Sequence, residues 1–211
     1  TSNHRPRAPL AGRRVRRVFT AVSSRPRLTL IAAVSEDGFI SHGQGVPWDL
    51  PRDRVHFRAA TAGKWLLLGR RTYLEMLGWF RDHTPLVLTR DPTFAPPIGK
   101  AVRDVPQALD LAAAEGVDEI YVCGGSAAYA LAMPHADRLL VTHVSTRLGS
   151  GVPFPTIETP PWKLVSSTRH PADAENIHAM RIADYRRGFV FEHESKPNAD
   201  PNGHECIGSA H

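Results

Sequence analysis

The sequence predicts an α/β domain, a mainly parallel sheet with helices covering both faces. Apolar runs of strand length alternate along the chain with segments of helical spacing, the signature of repeated strand–helix units. Three of those runs end abruptly in glycine or arginine, as parallel strands do where they turn toward a helix. The chain has 211 residues, 42% of them hydrophobic, enough for one such domain with some excess at the ends.

The elements follow in order. Leu28 to Val34 is an apolar strand closed by the turn Ser35-Glu36-Asp37-Gly38. Phe39 and Ile40 resume the apolar pattern before a loop over Ser41 to Gly45. Pro51 suits a first helical turn, where its missing N–H does no harm, and a helix is expected from Asp53 to about Thr61. Trp65 to Leu68 reads as a second strand running into Gly69-Arg70-Arg71-Thr72, with helical character from Tyr73 to Leu77. Pro85 to Thr89 is a third strand. Val105 to Glu115 is amphipathic, with Ala108, Leu111, Ala112 and Glu115 at helical spacing. Ile120 to Cys123 is a strand that meets Gly124-Gly125, and Ser126 to Met133 reads as a helix. Leu139 to Val144 is a further strand, and Trp162 to Ser167 with Ile177 to Tyr185 form a closing antiparallel pair.

Charge divides the chain. Residues 1–27 hold eight arginines and no Asp, Glu or Lys, so this arm supplies +8 to a formal net charge of +5 and the remainder stands at −3. A basic arm on an acidic body suits an anionic partner. No zinc spacing or helix-turn-helix signal accompanies it, so no specific nucleic-acid role is expected. The protein is expected to be a monomer or a homodimer with the arm at the interface. Residues 188–211 read as a polar tail. No apolar run approaches a membrane span, and the N-terminal residues are too arginine-rich for a secretory signal. Cys123 and Cys206 form no disulfide framework, which favours a reducing, cytoplasmic setting. None of the 11 histidines falls in a ligand-spaced cluster, so no metal is expected.

The chemistry concentrates in Gly45-Val46-Pro47-Trp48-Asp49-Leu50-Pro51-Arg52-Asp53-Arg54-Val55-His56-Phe57. Asp53 and Phe57 are i and i+4 on one helical face. A carboxylate among apolar neighbours is poorly solvated and suits proton transfer, although an acid at a helix start also caps free amides. Gly69-Arg70-Arg71-Thr72 offers a close backbone turn, free N–H groups and two guanidiniums to a phosphate; a solvated charged turn is the alternative. Cys123-Gly124-Gly125-Ser126 offers a bare backbone edge with Ser126 at the cap, or is a plain tight turn. Leu88-Thr89-Arg90 brings a third strand end. Together they place an anion-binding crevice at the carboxyl ends of the strands.

With those segments in place, the chain resembles the dihydrofolate reductase family. The likeness is carried by Ile31-Ala32-Ala33, Gly45 to Asp53 with Phe57, Gly69 to Thr72, Leu88-Thr89, Val122 to Gly125 with Tyr129, Leu140 to His143, and Pro153-Phe154-Pro155, in the family's order across residues 28–187. It implies one domain with a central eight-stranded, mainly parallel sheet whose C-terminal strand is antiparallel. It also implies hydride transfer from NADPH to a 7,8-dihydropterin. Asp53 would grip the pterin's amino group and ring nitrogen, Thr142 would bond that acid, and Trp48 would hold an ordered water that brings the proton to N5. Ile31, Ala33, Val46, Leu50, Arg54, Phe57, Met76 and His83 would line the substrate. Ala33, Ile40, Gly69, Arg70, Arg71, Thr72, Leu88, Thr89, Arg90, Cys123, Gly124, Gly125, Ser126, Ala127 and Tyr129 fall on cofactor positions. Arg70, Arg71 and Arg90 would meet the 2′-phosphate, and the loop Asp37 to Val46 would close over the site.

One departure sets the substrate expectation. The family places an arginine before the third strand to clamp the glutamate tail of folate, and here that position is His83, while Arg54 stands beside the acid. An imidazole cannot reproduce a bidentate guanidinium. The expected substrate is therefore dihydromethanopterin. Dihydrofolate, with a clamp displaced to Arg58 or Arg81, is the alternative, and a pyrimidine reductase of riboflavin synthesis the lesser one.

Overall fold

The computed structural model describes residues 25–188; the arm as far as residue 24 and the tail from residue 189 lie outside the described residues. The strands of the main sheet are β1 (Arg27–Ser35), β3 (Trp65–Gly69), β4 (Thr84–Leu88), β5 (Lys100–Val102), β6 (Glu119–Val122), β7 (Arg138–Val144), β9 (Trp162–His170) and β10 (Met180–Arg187). They lie in the order β5-β4-β3-β6-β1-β7-β10-β9. The pairs from β5 through β7 are parallel, and β10 runs antiparallel to both β7 and β9. A two-stranded ribbon joins β2 (Phe39–Ser41) to β8 (Val152–Pro153). The helices are α1 (Pro51–Thr61), α2 (Arg70–Glu75), α3 (Val105–Ala114) and α4 (Ser126–Ala132), the last continued by a 3₁₀ turn at Met133–His135.

Apolar alternation assigns each strand residue to one of two cores. On one face Leu28, Leu30, Leu67, Val122 and Val141 pack with Ala108 and Ala112 of α3 and with Ala128 and Ala132 of α4. On the other, Ile31, Leu66, Leu68 and Leu140 pack with Tyr73 of α2 and with Phe57 of α1. The central strands are buried on both faces and read as continuous apolar runs, as parallel strands covered by helices must.

The structure shifts several expected boundaries. The closing strand begins at Met180, and Ile177 is 65% exposed in the connection before it. Helix α2 starts at Arg70 and stops at Glu75, earlier at both ends than its apolar residues suggest. Two strands had no apolar run to announce them. β5 is three residues long and opens on an exposed lysine, and β8 is two residues containing a proline. Both are fixed by tertiary contact.

β5 is aligned by Gly99. Its φ is +87°, and a Cβ there would overlap the Pro85 carbonyl of the neighbouring strand. Gly116, after α3, has φ +69° but open space around it. Gly116→Ala is expected to cost about 1–2 kcal/mol of stability from backbone strain alone. Gly99→Ala should cost about twice that or more, because a backbone clash adds to the strain. Equal shifts of the urea midpoint for the two variants would show that the Pro85 contact does not constrain β5.

Candidate active site

The sheet order converts scattered motifs into one crevice. β6 lies between β3 and β1, so the ends of β3 and β6 meet: the Gly69 N–H donates to the Gly124 carbonyl at 2.7 Å and the Cys123 N–H to that of Leu67 at 3.0 Å. Gly124 has φ +123°, and a Cβ there would sit 3.4 Å from Thr72 Cγ2 and 3.7 Å from the Tyr129 hydroxyl. Any side chain would fill the space where the two turns face each other, so glycine keeps bare backbone there. Ser126 does not cap α4: Gly125 is the N-cap, and the Ser126 hydroxyl donates to the Pro153 carbonyl at 2.8 Å, tying the helix to the ribbon. Cys123 lies just past β6, and burial pushes its thiol up, which suits a small hydrophobe rather than a nucleophile.

Asp53 sits half-buried in the first turn of α1, near enough to Thr142, a buried residue of β7, for that hydroxyl to favour its ionised form. Burial pushes the carboxyl above its ordinary value of 3.8; the Thr142 hydroxyl and the nearby charges of His56 and Arg54 only partly oppose this. Phe57, one turn on, packs against Trp79 with ring centroids 5.3 Å apart, and Met76 joins the same cluster. Trp48 and Leu50 precede the helix, both buried. The indole N–H of Trp48 is buried without a protein acceptor. A buried donor of this kind is costly unless a water or ligand satisfies it, which makes the segment just before α1 a candidate binding surface. Tyr129, expected at the cofactor, donates its hydroxyl to the Ile31 carbonyl at 2.7 Å and so braces the strand under the crevice.

The arginines are held differently. Arg70 pairs with Asp91 at 2.9 Å and lies over the Phe94 ring, 4.4 Å from its centroid. Arg71 pairs with Glu75 and donates to the Gly43 carbonyl, so it also ties down the loop between β2 and α1. Arg90 is exposed and in no ion pair among the described residues. Thr89, beside it, accepts from the Asp91 N–H. Asp91, Phe94 and Gly43 went unnoticed in the sequence because an acid, an aromatic and a carbonyl in loops carry no periodic signal. Ala33, Ile40 and Leu88 are partly buried at the strand ends, Ala127 is exposed on α4, and Val46 is 65% exposed in the loop before Trp48.

Two expected substrate contacts are placed otherwise than the sequence suggests. The His83 side chain is 6% exposed, stacked on Trp79 at 4.6 Å, with the Arg81 N–H donating to its Nδ1. It packs into the wall with its Nε2 buried and without a protein partner among the described residues, and burial holds its pKa below the ordinary imidazole value. Arg54 is ion-paired to Asp49 at the surface.

Comparison with known proteins agrees with this architecture. Residues 27–187 match the family described as dihydrofolate reductase. The chain is 33% identical over 162 residues to a dihydrofolate reductase type 3 of Salmonella typhimurium, covering 76% of this chain and 98% of that protein. It is 27% identical over 160 residues to a dihydrofolate reductase of Bacillus subtilis, covering 76% and 94%. Among solved structures, a dihydrofolate reductase from Enterococcus faecalis complexed with NADP(H) and RAB-propyl superimposes with a TM-score of 0.70 at 27% identity, covering 76% of this chain and 96% of that one.

Holding Asp53 in this cleft costs stability when it is ionised. A carboxyl whose folded pKa is raised contributes stability that is complete below its unfolded pKa and is lost as pH rises through the folded value. Asp53→Asn should therefore be more stable than the parent at neutral pH, with the gap closing as pH falls through the raised pKa toward 3.8. Thermal denaturation across that range checks this; a variant less stable at neutral pH would mean that the carboxylate is a structural cap.

Proposed function

The chain belongs to the dihydrofolate reductase family, and on that premise we propose that it reduces dihydrofolate to tetrahydrofolate. It is an NADPH-dependent oxidoreductase acting on a CH–NH group. The observation that carries the reading is the poorly solvated Asp53 carboxyl in the first turn of α1, near Thr142, with the unsatisfied Trp48 indole N–H in the segment just before that helix. The family match begins at residue 27 and ends at residue 187, which supports assigning the chemistry to residues 28–187, with arm and tail outside it.

The residues present fit the cofactor. Bare backbone at Gly69, Gly124 and Gly125 and three arginines at adjoining strand ends suit a dinucleotide with a terminal phosphate. NADPH, when bound, supplies a hydride for C6 of the pterin. The protein's own part is electrostatic and positional. Asp53 accepts from the pterin's amino group and ring nitrogen, and its field in a poorly solvated cleft raises the basicity of N5. Trp48 holds the water through which N5 gains its proton, making the imine a far better hydride acceptor. The loop after β2, tied to α2 by Arg71, limits bulk water over the site.

Dihydromethanopterin, the substrate expected from sequence, becomes the second reading. That expectation took His83 for a lost clamp facing the substrate tail, whereas its side chain is buried and stacked on Trp79, which supports a packing role for the ring. Arg54, the supporting cation, is ion-paired to Asp49. The relatives described above are dihydrofolate reductases, which favours dihydrofolate and lends the pyrimidine reductase reading no support.

Side-by-side kcat/KM for the two dihydropterins with NADPH tests the substrate. Dihydrofolate should be preferred, and a reversed preference would restore the methanopterin reading. For the cofactor, Arg90→Ala should lower kcat/KM with NADPH about tenfold, the worth of one charge-assisted contact, and change that with NADH by less than about twofold. Equal losses with both nucleotides would exclude Arg90 from the 2′-phosphate site.

A further inference from the structure

Helix α1 must be held accurately because it carries Asp53, yet its start has no cap of its own. The N-cap residue is Leu50, an apolar side chain that accepts no hydrogen bond, and Pro51 has no N–H to give. The Arg54 N–H donates to the Leu50 carbonyl at 3.1 Å, the first bond of the helix itself. The N–H of Arg52, directly before Asp53, finds its acceptor 124 residues away: it donates to Asn176 Oδ1 at 3.0 Å.

Asn176 lies in the connection between β9 and β10. Its neighbours from Pro171 to Glu175 and Ile177 are exposed, whereas Asn176 is 1% exposed. Burial of one amide in an otherwise solvated loop requires its polar atoms to be satisfied. Asp173 does this. Its Oδ1 accepts from the Asn176 N–H at 2.7 Å and from Asn176 Nδ2 at 2.8 Å, while its Oδ2 pairs with the Arg52 guanidinium at 2.9 Å. Because Nδ2 is committed to Asp173, the amide oxygen must face the helix. The Asp173 carboxyl, receiving these donors, is pulled down to about 2 and stays ionised at any working pH.

We propose that Asn176 is a positioning residue for hydride transfer: it caps α1 from the β9–β10 connection and thereby fixes the Asp53 carboxylate against Thr142, with Asp173 locking its amide. This rests on the reading of Asp53 as the group that orients the pterin. The Arg52–Asp173 ion pair is partly exposed on both sides and is the dispensable member of the cluster. The cofactor-directed turns lie on other elements, so the effect of Asn176 falls on the chemical step and not on the nucleotide.

The test combines two measurements. In the wild-type protein, hydrogen exchange should show the Arg52 amide protected, where an uncapped amide in a first helical turn exchanges freely; an unprotected amide overturns the proposal whatever the variants do. In single-turnover experiments, Asn176→Ala should lower the hydride-transfer rate at least about tenfold, a fraction of the loss from a 1 Å misplacement, with NADPH Kd changed by less than about twofold. Asp173→Asn, which keeps one acceptor oxygen for the Asn176 N–H and Nδ2 but deletes the ion pair, should stay within about threefold of the parent rate. Gly116→Ala serves as a remote destabilised control with an unchanged rate. A parent-like rate in Asn176→Ala, or an equal drop in the control, would reduce Asn176 to a structural cap. A wild-type protein that reduces neither dihydropterin would instead overturn the assigned reaction and leave the exchange result standing by itself.

Discussion

A carboxyl group short of solvent is the constraint around which this molecule is arranged. Asp53 is half-buried in the first turn of α1, and the group that most offsets its lost solvation is the hydroxyl of Thr142. Such a site is expensive in stability, and proteins keep such sites where the field of the charge is needed. In the reaction proposed above, that field would hold the neutral amino-pyrimidinone edge of the pterin and raise the basicity of a ring nitrogen nearby. The glycine turns after β3 and β6 would bring the hydride donor of that reaction to the same place.

The strand order does this without any long-range signal. Because β1 is inserted between β6 and β7, the strand that carries Ile31 and Ala33 lies between the acid's partner Thr142 and the glycine turn at Gly124. The groups expected to meet substrate and cofactor thereby share one rim of the sheet. Tyr129 crosses from α4 to the Ile31 carbonyl, and Arg71 crosses from α2 to Gly43, so each neighbouring element is cross-braced over or under the crevice.

Much of this was legible in the sequence where the signal is local. The apolar runs of β1, β3, β4, β6 and β7 and the Pro51 helix start declare themselves through composition and spacing alone. Asp53 with Phe57, and the glycine turns after β3 and β6, were readable for the same reason. What escaped was set by contact between distant segments. β5 and β8 are too short to carry a pattern. His83 read as a missing charge because its stacking on Trp79 is invisible in one dimension, and Asn176 lies in a loop whose only unusual property, one buried amide, exists after folding. Ser126 shows the same limit at short range, since its hydroxyl prefers the Pro153 carbonyl to the helix end it adjoins.

The most direct test is single-turnover hydride transfer from NADPH to dihydrofolate by Asp53→Asn. An uncharged isostere keeps the shape of the cleft and removes the field. The rate at neutral pH should fall by about 10²-fold or more, the scale of positioned proton-transfer groups, while NADPH binding is retained. Near-parental rates across about pH 5 to 9 would contradict the central role of the carboxylate, since pH could not then be compensating for a missing charge.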